Sequence, residues 1–171
     1  GDDAMTIANG GAVTFSQTPV GAGVALTTGT TVAATSGTEI IFTGIPSTTS
    51  RIMLIFRGVA MSANQQLRIT LGTSSGLVTS GYLGTSGYGA GADDRTDSWV
   101  WYPANGTLSG VMTICHMGGN IYVQGHSSKY NANNTSFGGG DVAVGGVVDR
   151  LGIDPAGNAT FSAGAINIMF D

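Results

Sequence analysis

Charged residues are scarce in this chain of 171 residues, which has only 6 Lys and Arg and 10 Asp and Glu. Lys129 is its single lysine and Glu39 its single glutamate. Surface helices draw heavily on such residues for their solvent face, so helical folds are excluded and an all-β protein is predicted. The net charge of -4, without a cluster of Lys and Arg, argues against binding to nucleic acid or an anionic membrane. No apolar run is long enough to span a bilayer, so membrane insertion is not expected.

Cysteine is nearly absent as well. With Cys115 alone, neither an intrachain disulfide nor a cysteine-rich metal site can form. Alternation along residues 111–117 places Val111, Thr113 and Cys115 on one face of a strand. A small buried thiol is predicted there rather than a nucleophile. No cofactor is expected.

Glycine is abundant, with 29 residues, and threonine and serine accompany it. These residue types suit strands and turns. Near the start, Asn9 and Gly10 separate two short alternating runs, which predicts an N-terminal β-hairpin stalk at residues 1–19. A flexible linker at 20–23 is expected to join this stalk to a head domain at 24–171. Turn signals in the head recur at the spacing of a jelly-roll-like β-sandwich.

About nine strands are predicted in the head domain, at 39–42, 51–59, 66–71, 98–102, 110–117, 120–124, 147–153, 158–161 and 165–170. The strand at 51–59 is the most apolar, and Ile52, Leu54 and Phe56 are predicted to form its core face. Met53 and Ile55 make its other face apolar too. Such a strand is either central and covered on both sides or in contact with a partner subunit.

Two segments lack this alternation and are predicted to be long surface loops, at 82–97 and 125–140. A long loop inside a compact domain is usually either functional or disordered. The first loop combines aromatic and acidic side chains, which suits a saccharide that stacks on rings and donates hydroxyl hydrogen bonds to carboxylates. The candidate receptor-binding residues are therefore Tyr82, Tyr88, Asp93, Asp94, Asp97, Trp99 and Trp101.

Other interpretations of these residues remain open. Trp99 and Trp101 share one face of their strand, and burial in the core is favoured over contact with a ligand or a subunit. The aspartates do not follow the ligand spacing of a calcium loop, because Arg95 occupies an intervening position. Internal pairing with Arg95 is the favoured interpretation of this acidic cluster.

No catalytic constellation is recognised. The segment 72–76 matches the pattern of serine hydrolases, but strand-like sequence flanks it on both sides, and a turn is predicted. His116 and His126 lack the spacing of a metal site and are expected to be separate surface or hydrogen-bonding residues. No pair of acids on strands suits glycosidase chemistry. The sequence predicts neither catalytic residues nor a metal ion, and the protein is not expected to be an enzyme.

Several segments resemble the C-terminal domains of tail fibre proteins from tailed bacteriophages and prophages. They are TEIIFTGIPS at 38–47, RIMLIFRGV at 51–59, GYL at 81–83, VDRL at 148–151 and GAINIMF at 164–170. The N-terminal hairpin is similar to those that precede such domains. The resemblance implies a homotrimeric virion component, on a tail or capsid fibre, that is exposed to the extracellular medium.

For such a fibre component, the resemblance implies receptor binding and host attachment through a bacterial surface glycan or protein. Other virion proteins would be joined through the N-terminal end. One alternative is a structural head-decoration or capsid-fibre protein with the same fold. The other is a fragment of a polysaccharide-degrading tailspike.

Overall fold

A computed structural model describes residues 5–7, 9–11, 13–15, 25–88, 91–102 and 106–171. Over these residues the chain forms sixteen β-strands and no helix, which confirms the all-β prediction. In chain order the strands are β1 (Met5–Ile7), β2 (Val13–Phe15), β3 (Thr27–Thr28), β4 (Val32–Ala33), β5 (Ile40–Thr43), β6 (Arg51–Met61), β7 (Leu67–Thr73), β8 (Gly76–Leu77), β9 (Tyr82–Tyr88), β10 (Gly91–Asp94), β11 (Trp99–Trp101), β12 (Leu108–Gly118), β13 (Ile121–Tyr130), β14 (Asn134–Ala143), β15 (Arg150–Pro155) and β16 (Phe161–Phe170).

The predicted N-terminal hairpin is present. Its strands β1 and β2 pair antiparallel, with Met5 opposite Phe15. In the turn, Gly11 has a φ of 79°, a left-handed conformation that glycine adopts without steric cost. The predicted linker at 20–23 lies outside the described residues.

The remaining described strands form two antiparallel sheets that pack together as a β-sandwich, as predicted. The large sheet has the strand order β10-β9-β14-β13-β12-β6-β16-β3, and β4 also pairs with β16. The small sheet has the order β11-β7-β15-β5, and β8 pairs with β7. The turn predicted at 72–76 is the tight connection between β7 and β8.

The hydrophobic core lies between the inner faces of the two sheets. In the large sheet, β6 lies between β12 and β16, and its residues Ile52, Leu54 and Phe56 are buried. They belong to the same core cluster as the inward residues of β7, which run alternately from Leu67 to Leu71. The predicted core face of this strand is therefore confirmed.

The prediction of two long surface loops is wrong. Residues 82–97 contain the antiparallel pair of β9 and β10, and residues 125–140 lie mostly within the hairpin of β13 and β14. The sequence did not predict these strands because they contain several glycines, a residue type that is typical of turns. A Cβ at Gly138 would lie 2.3 Å from the Thr85 carbonyl oxygen and 2.5 Å from Cε1 of His126. Glycine at this position therefore permits close packing within a strand rather than a flexible connection.

The C-terminal strands differ from their predicted boundaries. The strand predicted at 147–153 begins at Arg150 and continues to Pro155. The strand predicted at 165–170 begins earlier, at Phe161, as β16, and the strand predicted at 158–161 contributes only this residue to it. The register between β16 and β6 shifts on both sides of Ala163. There, Gly164 has a φ of 94°, and a Cβ on it would lie 2.4 Å from the Gly58 carbonyl oxygen. Such a bulge interrupts the alternation on which sequence prediction depends.

Cys115 is exposed, so the prediction of a buried thiol is wrong. The predicted alternation along β12 is present, but its inner face consists of Met112 and Ile114 and not of the residues that alternate with them. Cys115 lies on the outer face with Val111 and Thr113. When both faces of a strand contain apolar residues, the period alone does not determine which face points inward.

Replacing Leu54 by alanine is expected to lower the free energy of unfolding by about 2–5 kcal/mol, because it leaves a cavity between the sheets. Denaturant unfolding measures the effect. The matched control is Ile41→Ala on the outer face of the small sheet, where Ile41 is 44% exposed. The control should change stability by less than about 1 kcal/mol. A Leu54 variant as stable as the control would contradict the central position of β6.

Candidate functional site

Three of the predicted receptor-binding residues are fully buried. Tyr82, Trp99 and Trp101 are 0% exposed and belong to the hydrophobic core. The rings of Tyr82 and Trp99 meet edge to face with centroids 5.3 Å apart, and Tyr82 Oη accepts a hydrogen bond from the Leu71 N–H at 2.7 Å. The prediction that these side chains contact a receptor is wrong, whereas the core interpretation of the tryptophans is confirmed.

Three other predicted site residues lie on the hairpin of β9 and β10, at the edge of the large sheet. Tyr88 is half-buried, and its ring stacks on that of Tyr102 with centroids 5.0 Å apart. Asp93 is half-buried and Asp94 is exposed. Asp97 follows this hairpin and lines a cleft on the small sheet. The predicted receptor site is thus divided between the core, a sheet edge and a cleft.

A cluster of buried polar side chains lies where β9, β13 and β14 pair. Nε2 of His126 lies 2.8 Å from Ser86 Oγ, and its Nδ1 lies 2.9 Å from Gln124 Oε1. Ser128 extends the cluster and accepts a hydrogen bond from Trp101 Nε1 at 2.9 Å. His126 is therefore one of the expected hydrogen-bonding histidines, although it lies inside the sandwich.

The order of Ser86, His126 and Gln124 resembles a nucleophile, a base and an orienting group. Substrate has no access to this arrangement, since Ser86 is 0% exposed and its Oγ also accepts a hydrogen bond from the Tyr102 N–H at 2.9 Å. Burial lowers the pKa of His126 to about 4, so the ring is neutral at pH 7. The cluster is a satisfied hydrogen-bond network that fixes the packing of the sheets.

The neutral state of His126 is expected to make stability depend on pH. Its pKa is about 4 in the folded protein, against an ordinary value of 6.5. Between these values the unfolded chain binds the additional proton, so acidification favours unfolding. The free energy of unfolding should fall as the pH drops from 6.5 to 4, by about 3 kcal/mol in total. Urea unfolding at a series of pH values measures this loss.

The variant His126→Gln is the control for this pH profile, because it removes the titrating ring and leaves every other ionisable group in place. Its stability should change less than that of the wild type over the same pH range. Parallel profiles for the two proteins would contradict the burial of a neutral imidazole.

A polar cleft of about 380 Å³ opens on the outer face of the small sheet. Arg68 and Thr70 alternate with the inward residues of β7 and form its floor, together with Asp154 of β15, which pairs with Arg68 in the sheet register. The walls come from segments around the floor and include Thr38, Glu39, Leu77, Thr79, Asp97, Ser98 and Pro155.

Arg68 links two carboxylates in this cleft. Its Nε donates to Asp154 Oδ2 at 2.8 Å, and a terminal guanidinium nitrogen contacts the same oxygen. The other terminal nitrogen lies 3.7 Å from Asp97 Oδ2. Arg95 donates to both oxygens of Asp97, at 2.7 and 2.6 Å, which confirms the predicted internal pairing for this aspartate. The side chains therefore alternate in charge along the cleft, in the order Arg95, Asp97, Arg68 and Asp154.

The two carboxylates of the cleft differ in proton affinity. Burial raises the pKa of Asp154 above the ordinary aspartate value, although hydrogen bonding and charge from Arg68 act in the opposite direction. Hydrogen bonds from Arg95 lower the pKa of Asp97. The cleft therefore presents one firmly ionised carboxylate and one whose negative charge is opposed by burial.

Sequence reasoning missed Arg68, Thr70 and Asp154 as site residues. Arg68 and Asp154 are separated by 86 positions in the chain, and they meet only because β7 and β15 pair in one particular register. The available signal was the alternation of Arg68 and Thr70 with apolar residues, which marks the outward face of a strand.

No protein-family model, curated protein or solved structure matches the chain. Across the described ranges, no helix has the length and apolar character needed to cross a membrane. In the same residues, no group of three or more His, Cys, Asp and Glu side chains is placed to hold a metal ion. Interpretation of the cleft therefore depends on its own geometry.

Proposed function

We propose that the protein is the head domain of a bacteriophage fibre, displayed on the virion, where it assembles as a homotrimer and attaches the particle to the host cell. The observation that carries this proposal is the outer face of the large sheet, which exposes large apolar side chains and has two adjacent rows without a charged residue. The resemblance of residues 38–47 and 51–59 to tail fibre domains supports the same function.

The outer face of the large sheet exposes large apolar side chains on adjacent strands. Leu83 on β9, Phe137 on β14 and Val123 on β13 are 63%, 60% and 40% exposed. Met53 and Ile55 on β6 are half-buried and extend the same face. The exposed Asp141 lies between Leu83 and Val123 in the sheet register. The apolar surface that suits contact with another protein is therefore the part that runs from Phe137 towards Met53 and Ile55.

Two adjacent rows across this face contain no charged residue. One consists of Met169, Met53, Thr113, Gly125, Gly139 and Thr85, and the other of Asn167, Ile55, Val111, Ser127 and Phe137. Copies of a chain with a net charge of -4 repel one another, and the repulsion is weakest where these rows without carboxylates meet. Closed rotational symmetry allows three such faces to pack around one axis.

The small sheet forms the opposite side of the sandwich and stays accessible in such an assembly. Its outer face carries the cleft of Arg68, Asp97 and Asp154. In this arrangement the large sheet holds the trimer together and the small sheet meets the host surface. The N-terminal hairpin joins other virion proteins.

A polysaccharide-degrading tailspike is favoured by one observation, the opposite pKa shifts of Asp97 and Asp154. Glycosidases pair a protonated acid with an ionised carboxylate. Both aspartates, however, accept hydrogen bonds from arginine, which fits a binding role better than proton transfer. Release of reducing ends from purified host polysaccharide would establish the enzymatic alternative.

Replacing Phe137 by aspartate is expected to convert the trimer into monomers, because three like charges would be brought into an apolar interface. Size-exclusion chromatography with light scattering measures the mass. The control Ile41→Asp places the same charge on an exposed position of the small sheet and should leave the trimer intact. A wild-type protein that is monomeric at micromolar concentration would refute the proposed assembly.

Attachment is tested with fluorescently labelled wild-type protein on candidate host bacteria, with and without their surface polysaccharide. Binding that disappears with the polysaccharide is the expected result for a glycan receptor, and binding that persists indicates a protein receptor. A head-decoration protein would instead bind purified capsids and leave cells unlabelled, which would contradict host attachment.

A further inference from the structure

Three exposed charged residues of the large sheet, Arg57, Lys129 and Asp141, have no ion pair among the described residues. The other four of the six basic residues all pair with aspartates of the same chain. The charges of Arg57, Lys129 and Asp141 are therefore available for contact with another molecule.

The sheet register places these charges at opposite ends of the outer face. Lys129 of β13 pairs with Thr135 of β14, and Asp141 follows six positions later on β14. At about 3.3 Å per residue, Lys129 and Asp141 are about 20 Å apart. Arg57 lies at the Lys129 end, because the N–H of the residue after it donates to Ser109 Oγ and Ser109 pairs with Lys129. The two rows without charge lie between these ends.

Threefold symmetry constrains how these charges meet. Contacts in a trimer are heterologous, so each copy presents one side to the next copy and the opposite side to the previous one. If the strands ran parallel to the axis, rotation would gather three copies of Lys129 and three of Arg57 at one level, where like charges repel. If the strands run perpendicular to the axis, the Asp141 end of one copy meets the Lys129 end of the next. The charge pattern favours the second arrangement.

The strand order then selects the residues that come into contact. Rotation leaves the position along the axis unchanged, and in this arrangement the axis follows the order of the strands. Along that direction Asp141 on β14 is one strand spacing, about 4.8 Å, from Lys129 on β13. Arg57 on β6 is three spacings from Asp141, and the exposed Asp94 on β10 is three spacings from Lys129. Lys129 is therefore the partner that Asp141 of a neighbouring copy would reach.

We infer that a second copy of this chain packs against the outer face of the large sheet, with Asp141 of one copy forming an ion pair with Lys129 of the next. The rows that contain Phe137 and Met53 supply the uncharged part of this interface. The ion pair sets the direction in which the copies follow one another, because electrostatic complementarity fixes register and suppresses wrong pairings. This inference names the contacts of the assembly surface, and it rests on the proposed function for the number of copies.

The test is zero-length crosslinking of the full chain with a carbodiimide, which joins a lysine amine directly to a carboxylate. Lys129 is the single lysine, so every lysine link involves it. Because Lys129 and Asp141 are about 20 Å apart within one copy, a link between them forms only between copies. Peptide mass mapping is expected to find this link, and denaturing gels are expected to show covalent trimers. Asp141→Asn should abolish the link, whereas the control Glu39→Gln, at an exposed carboxylate beside the small sheet, should retain it.

Charge reversal measures the energetic contribution of the same contact. Asp141→Lys should weaken association at least about tenfold in a dilution series followed by light scattering, because it places like charges at the contact. The control Glu39→Lys changes the net charge equally and should associate as the wild type does. The double variant with Asp141→Lys and Lys129→Asp should regain association, since the opposite charges are exchanged. This recovery excludes misfolding as the cause of the weaker association.

The outcomes separate this inference from the proposed function. Trimers that give no link between Lys129 and Asp141, or that tolerate Asp141→Lys, would overturn the inference and leave the proposed assembly intact. The same link in a protein with the mass of a dimer would retain the contact and overturn the trimer. Linked trimers that do not attach to host cells would overturn the proposed function alone. A monomeric wild-type protein would overturn both the inference and the trimer.

Discussion

Burial of Trp101 between the two sheets is the contact on which the β-sandwich depends. Trp101 belongs to β11 of the small sheet, yet its ring lies 4.6 Å from the ring of Phe56 and 4.8 Å from that of His126, both in the large sheet. Its indole N–H donates to Ser128. This one side chain therefore fills the apolar core and also takes part in the buried polar cluster. Because β11 pairs with β7, the same side chain also positions the strand that carries Arg68.

This packing leaves different side chains on the two outer faces. The tryptophans are buried in the core, and the charged groups of Arg68, Asp97 and Asp154 on the small sheet side lie in the cleft. The large sheet has the reverse character, with Phe137 and Val123 exposed on a face that lacks charge in its two central rows. Under the proposed function, one outer face of the sandwich would contact other copies of the chain and the opposite face would contact the host.

The sequence predicted the fold where strand alternation was strong. β6 was recognised with its correct inner face, because Ile52, Leu54 and Phe56 alternate with the outer residues over a long run. The sequence predicted loops in place of β9 and β14, because glycine usually indicates flexibility. In these strands glycine instead permits close contact with the neighbouring backbone, as at Gly138. The exposed state of Cys115 was missed because both faces of β12 contain apolar residues.

The candidate site was less accessible to sequence reasoning. Aromatic residues beside acids suggested a sugar site, but the same pattern describes core tryptophans near a surface hairpin, and only Asp97 of the predicted set lines the cleft. Arg68, Thr70 and Asp154 could not be grouped, because their proximity arises from the register of β7 and β15 across 86 positions of sequence.

The most direct test of the account is the rate at which a maleimide alkylates Cys115 in the native protein. This single thiol lies on the outer face of the large sheet, opposite Val123 on β13, and it is exposed in the isolated chain. If copies pack through this face, the thiol should react at least about tenfold more slowly in the native assembly than in the Phe137→Asp variant, because burial blocks access to the reagent. Equal rates in the two proteins would contradict the assignment of this face to assembly.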